Sequence, residues 1–81
     1  MTIIKLTAAQ CRMARAALQL GSRELARRAG ISPTTVGLFE RGKRSPTLDS
    51  LLAIQRVFEA EGLIFTNDDQ PGVRIGPKKS A

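Results

Sequence analysis

The sequence has no histidine and one cysteine among its 81 residues. The missing histidine excludes Ser–His relays and imidazole-based metal sites. A lone Cys11 excludes a disulfide framework within the chain. It falls on an alanine-rich helical face and reads as a small buried apolar group, with a redox role as the alternative. No apolar run approaches the roughly 18 residues needed to span a membrane. There is no glycine-rich phosphate cradle and no internal repeat. The opening Met1-Thr2-Ile3-Ile4-Lys5 lacks the apolar stretch of a signal peptide, so a reducing cytoplasm is the expected compartment. No enzyme activity and no cofactor or metal is expected. The adjacent Asp68 and Asp69 stand in a polar turn, where such carboxylates are ordinarily solvated.

What the chain does have is positive charge, unevenly spread. From Lys5 to Arg44 nine basic residues face only Glu24 and Glu40, a net +7; from Ser45 to Ala81 four basic residues face five acidic ones, a net −1. A cationic body with a nearly neutral remainder points to a polyanion partner. Charge alone leaves open a basic surface with no specific target.

Helix signals follow in quick succession. Thr7-Ala8-Ala9-Gln10 has the form of a capping box and opens a first helix expected over Ala8–Leu20, stopped by Gly21. The Gly21-Ser22 pair opens a second over Ser22–Ala29, with Leu25, Ala26 and Ala29 as its apolar face and Gly30 as its terminator. Ile31 follows as a buried plug. Ser32 as N-cap with Pro33 at the first helical position starts a third helix, ending near Arg41-Gly42. After the basic loop Lys43-Arg44-Ser45-Pro46, Thr47 caps a fourth over Leu48–Glu61. Its apolar positions are Leu48, Leu51, Ile54 or Gln55, and Phe58, and Gly62 ends it. Leu63–Thr66 and Val73–Ile75, separated by turn chemistry, predict a small hairpin. The expected organisation is a domain over 1–62, a hairpin over 63–76 and a loose tail over 77–81.

The segment Ser22 to Arg41 follows helix-turn-helix logic. Two helices crossing at about 90–120° need a small residue at the contact, met by Ala26. The turn needs a permissive residue, met by Gly30. Val36 plugs the angle, and Leu25, Ile31 and Phe39 complete a core shared with the first and fourth helices. An ordinary helical hairpin is the competing interpretation, but the positive charge concentrates on this same segment.

With these residues, the chain from about Leu6 to Phe58 resembles the phage-repressor (Cro/C1-type, Xre-type) helix-turn-helix regulators. Glu40-Arg41-Gly42-Lys43-Arg44-Ser45-Pro46 and the following Leu48, Leu51, Leu52 and Ile54 share the likeness. It implies a mainly α, lambda-repressor-like bundle of four to five short helices that binds operator DNA, here with a small C-terminal hairpin. It further implies that the third helix enters the major groove. Pro33, Thr34, Gly37 and Leu38 would then face bases, with Ser32 and Thr35 at the margin. The second helix would meet a phosphate at Ser22 through backbone N–H groups. Arg23, Arg41, Lys43 and Arg44 would contact phosphates, while Arg27 and Arg28 are less clearly placed. Arg15 and Glu40 match positions that pair across the core, and with Ala26, Gly30 and Val36 would be structural. The base-facing set contains no Gln, Asn or Arg, the bidentate readers of purine edges. Modest sequence selectivity is therefore expected, with much of the affinity from phosphates and DNA shape.

The implied partner is double-stranded DNA, bound by a homodimer, since one unit reads only a few base pairs. Besides Leu48, Leu51 and Phe58, the fourth helix carries Leu52, Ile54 and Val57, more than one core face requires, and Ile64, Phe65, Val73 and Ile75 lie on the hairpin. These are the expected interface pieces. A monomer whose hairpin covers its own core is the alternative. The competing function is a protein-interaction module, an antiactivator or antitoxin-like protein that sequesters a partner. Repression by operator occupancy is the simplest mechanism for so short a chain, and the family recurs in mobile elements.

Overall fold

Local chemistry fixes the start of every helix in the computed structural model, which describes residues 6–66 and 72–76. Thr7 accepts from the Gln10 amide and Gln10 returns a bond to the Thr7 backbone, so the capping box opens α1, Ala8–Leu18. Helix α2, Ser22–Ala29, begins after Gly21, which offers no side-chain cap. Ser32 caps α3, Pro33–Glu40, with proline in its first turn. Thr47 caps α4, Leu48–Ala60. An antiparallel pair follows, β1 (Leu63–Thr66) and β2 (Gly72–Ile75), in the register Leu63 to Ile75 and Phe65 to Val73. The expected turn between the strands, with Asp68 and Asp69, the tail over 77–81 and the first five residues lie outside the described residues.

The first helix ends earlier than expected. Its left-handed residue is Gln19, at φ 52°, not Gly21. Leu20 N–H donates to the Arg15 carbonyl at 2.9 Å and Gln19 N–H to Ala16 at 3.2 Å, the paired bonds of a Schellman closure. Tertiary packing of Leu18 and Leu20 against the core outweighs the roughly 1–2 kcal/mol that a non-glycine residue costs there. The same closure ends α2 at Gly30 and α3 at Gly42, both at φ 72°.

The core is drawn from every helix and from β1. Cys11, Ala14, Leu25, Ala26, Val36, Ile54 and Phe58 are fully enclosed, with Leu6, Phe39 and Leu63 close behind. Ile31 is only partly buried at the core's edge. Phe65 and Val73 pack inward, and the Phe65 ring lies 5.9 Å from that of Phe58. The hairpin thus forms a lid on the bundle. Its turn end is held by Gln10, whose side-chain amide donates to the carbonyls of Thr66 (3.0 Å) and Gly72 (3.1 Å). Its open end closes with Gly76 N–H donating to Gly62 at 2.8 Å. A Cβ at Gly76 would stand 3.0 Å from that same carbonyl, a tight approach that glycine avoids.

Two expectations about apolar surface are corrected. Leu48, expected to face the core, is 70% exposed. It lies in the first turn, before α4 has reached the bundle. Ile54, Val57, Phe65 and Val73, expected as interface pieces, are turned into or against the core, where Leu51 and Phe58 also pack as expected. Among the described residues no helix is long and apolar enough to cross a membrane.

Candidate nucleic-acid interface

The third helix is oriented from both of its ends. At its start, Ala26 and Val36 have no exposed surface, so α2 and α3 approach closely where they cross. At its end, Glu40 is buried and accepts two bonds from Arg15, Nε to Oε2 and Nη2 to Oε1, each 2.7 Å. Cys11 Sγ donates to Glu40 Oε2 at 3.0 Å, and Arg12 Nη1 donates to the Glu40 backbone carbonyl. Arg15 also donates to the Leu20 carbonyl at 3.1 Å, which ties the α1–α2 turn into the same cluster.

This cluster is electrostatically closed. Burial pulls the Glu40 carboxyl upward, but hydrogen bonds from Arg15 and Cys11 and the charges of Arg15 and Arg12 outweigh it. Its pKa therefore stands below the ordinary carboxylate value. Burial and the adjacent carboxylate push the Cys11 thiol strongly upward. Cys11 is therefore a hydrogen-bond donor within the packing, not a thiolate. Sequence reasoning found no roles for Arg12 or for the thiol as donor, because their partner lies 28 and 29 positions away.

With Val36, Phe39 and Glu40 facing inward, the opposite side of α3 is set. Ser32, Pro33 and Thr34 are exposed; Thr35, Gly37 and Leu38 are half-buried. Thr34, Gly37, Leu38 and Arg41 follow one another at i, i+3, i+4 and i+7, the spacing of a single helical face. Arg41 caps α3 and is exposed. Its guanidinium folds back along the helix, and Nη2 lies 3.9 Å from where a Gly37 Cβ would stand. The Gly42 turn, closed by Lys43 N–H donating to Leu38 at 2.9 Å, delivers Lys43 and Arg44 directly after the helix, both exposed.

The cations of the Arg15–Arg44 segment divide into two groups. Arg15 is consumed by Glu40. Arg27 and Arg28 both bind Glu24 on the surface of α2, and Arg28 also lies 3.8 Å from Glu61. Hydrogen bonds from Arg27 and Arg28 hold half-buried Glu24 down at about 2, so the three remain charged together. Arg23, Arg41, Lys43 and Arg44 have no ion-pair partner among the described residues. The start of α2 at Ser22 is the one helix start described without a side-chain cap, which leaves first-turn N–H groups for an external acceptor.

A bundle that seats a short helix across a small-residue contact, with its outer face bare and cations beside it, is a helix-turn-helix domain. The helix-turn-helix family model matches residues 12–62, and the chain belongs to this Cro/C1-type family. An HTH-type transcriptional regulator of Sinorhizobium fredii, y4dL, is 32% identical over 65 residues, covering 80% of this chain and 33% of its own. The chain thus spans about a third of that relative's length. The DNA-binding domain of the P22 C2 repressor, solved in solution, superposes with a TM-score of 0.62 at 22% identity. That match covers 72% of this chain and 76% of the other, and shows a shared fold.

Proposed function

We propose that the chain binds double-stranded DNA as a transcriptional regulator, acting as a homodimeric repressor that occupies its operator. The observation that carries this is the sorting of charge. Arg15, Arg27 and Arg28 are paired with Glu40 and Glu24, while Arg23, Lys43 and Arg44, at the start of α2 and just after α3, have no ion-pair partner among the described residues. An uncompensated cation near a bare helix face suits a phosphate backbone on either side of a groove. Thr34 and Leu38 would meet bases, with Pro33, Gly37, Ser32 and Thr35 alongside. First-turn amides at Ser22 would meet a phosphate.

The test is a salt titration of duplex binding. The double variant Lys43→Ala/Arg44→Ala is expected to lose affinity about equally on all sequences. Its slope of log affinity against log salt should fall by about 1.8, two released counterions at roughly 0.9 each. A wild-type chain that retains no duplex at low salt, or a double variant with an unchanged slope, refutes the proposal.

The same titration addresses the competing reading, capture of a partner protein. Exposed Leu48, Ile64 and Ile75 support some protein contact, and a second copy is the simplest occupant.

A further inference from the structure

We propose that Arg41 reads a base, as the bidentate contact that the rest of the α3 face lacks; this rests on the DNA-binding reading above. Its place in the sequence, before Gly42-Lys43-Arg44, groups it with the loop cations. The fold separates it from them. Arg41 completes the face begun by Thr34, Gly37 and Leu38, one helical turn beyond the last two. Helical side chains lean toward the N-terminus, and this one does: its Nη2 sits over Gly37, four residues back. The guanidinium is thereby carried toward the part of the helix that approaches base edges in this class of protein.

Gly37 acquires a reason in the same geometry. A glycine inside an exposed helical face is a poor helix former, and nothing in the packing demands it: no neighbour other than Arg41 comes within 4 Å of its missing Cβ, and its φ is not positive. Its bareness leaves a shallow track along α3 in which the guanidinium lies. A single methyl group would meet Arg41 Nη2 at an ordinary contact distance, but a longer side chain would occupy the track. Arg41 has no ion-pair or hydrogen-bonded side-chain partner among the described residues, so all its N–H donors remain for a ligand. The planar fork of arginine matches guanine O6 and N7. Each half-site should therefore contain one required guanine, and selectivity should exceed what Thr34 and Leu38 provide.

The experiment is selection from a randomised duplex pool by the full chain and four variants, with thermal melts to confirm folding. Wild type is expected to enrich one guanine per half-site. Arg41→Ala should lose that preference by roughly 5- to 150-fold, and Arg41→Lys, whose ammonium lacks the planar fork but still reaches O6 or N7, should lose less of it. Gly37→Leu should lose the preference with Arg41 intact, whereas Gly37→Ala should keep it. An Arg41→Ala chain that retains the guanine overturns the proposal. So does an Arg41→Ala loss that is uniform across sequences with the salt slope reduced by about 1, the mark of a phosphate contact. Duplex binding by wild type without guanine enrichment refutes this inference alone; no duplex binding refutes the DNA reading with it.

Discussion

Glu40 shows how one side chain can set the orientation of an element. Its carboxylate is only 7% exposed and Arg15 is 25% exposed, so the pair is shielded enough to matter and its geometry is bidentate. Arg15→Met would strand the carboxylate among Cys11 and the core, at a cost of about 3 kcal/mol in urea denaturation at neutral pH. The sign of the pH dependence follows from the lowered pKa. Stability from Glu40 is fully present above its unfolded pKa of about 4.3 and is lost as pH falls through the lower folded value. Glu24, also lowered, adds in the same direction from the surface. With no histidine, melting temperature should be flat from about pH 5 to 8 and fall below about 4.3. The gap between wild type and Arg15→Met should narrow in acid, since the stranded carboxylate protonates readily. An equal gap at neutral and acidic pH would show that the pair contributes packing and not charge.

At the scale of elements, the hairpin depends on a residue that the sequence assigns to another task. Gln10 completes the capping box, and its Oε1 accepts from Thr7 N–H at 3.0 Å. Its amide nitrogen meanwhile holds both strands through Thr66 and Gly72. Gln10→Leu fills the same space but leaves these carbonyls without their donor, a loss of about 1–3 kcal/mol. Amide hydrogen exchange should locate the damage. Phe65 and Val73 should exchange faster in the variant, with α2 and α3 protected as before relative to global stability. Equal acceleration in the hairpin and in all helices would mean that Gln10 serves the bundle as a whole.

At the scale of the whole molecule, size constrains assembly. The domain measures 30 × 30 × 26 Å, and half-sites one helical turn apart place recognition helices about 34–36 Å from each other. Two copies on adjacent half-sites would nearly fill that spacing, which leaves room for the dimer contact proposed above. Once Ile54, Phe65 and Val73 are committed to the core, the large apolar residues left exposed among the described residues are Leu48, Ile64, Ile75 and Met13. Sedimentation at micromolar concentration is expected to show a dimer. Leu48→Lys/Ile75→Lys should shift it to monomer while changing stability by less than about 0.5 kcal/mol per site, as is usual for exposed positions. A wild-type monomer that also binds DNA without cooperativity would remove the dimer from the mechanism.

The sequence alone determined where the helices begin and the type of each element. Thr7, Ser32 with Pro33, Thr47 and the glycine stops act within one turn of themselves, and short-range chemistry is written in neighbouring residues. The Ala26–Gly30–Val36 spacing exposed the helix pair for the same reason. The end of α1 is not written locally, because packing of Leu18 and Leu20 overrules the preference for glycine. Family likeness, not local chemistry, brought Arg15 and Glu40 together. Only the tertiary structure decided which arginines are neutralised, that Gln10 clamps strands 56 and 62 residues away, and that Arg41 lies along Gly37 and not out in the loop. Charge compensation and side-chain direction depend on what the fold brings within a few ångströms, and no local pattern encodes that.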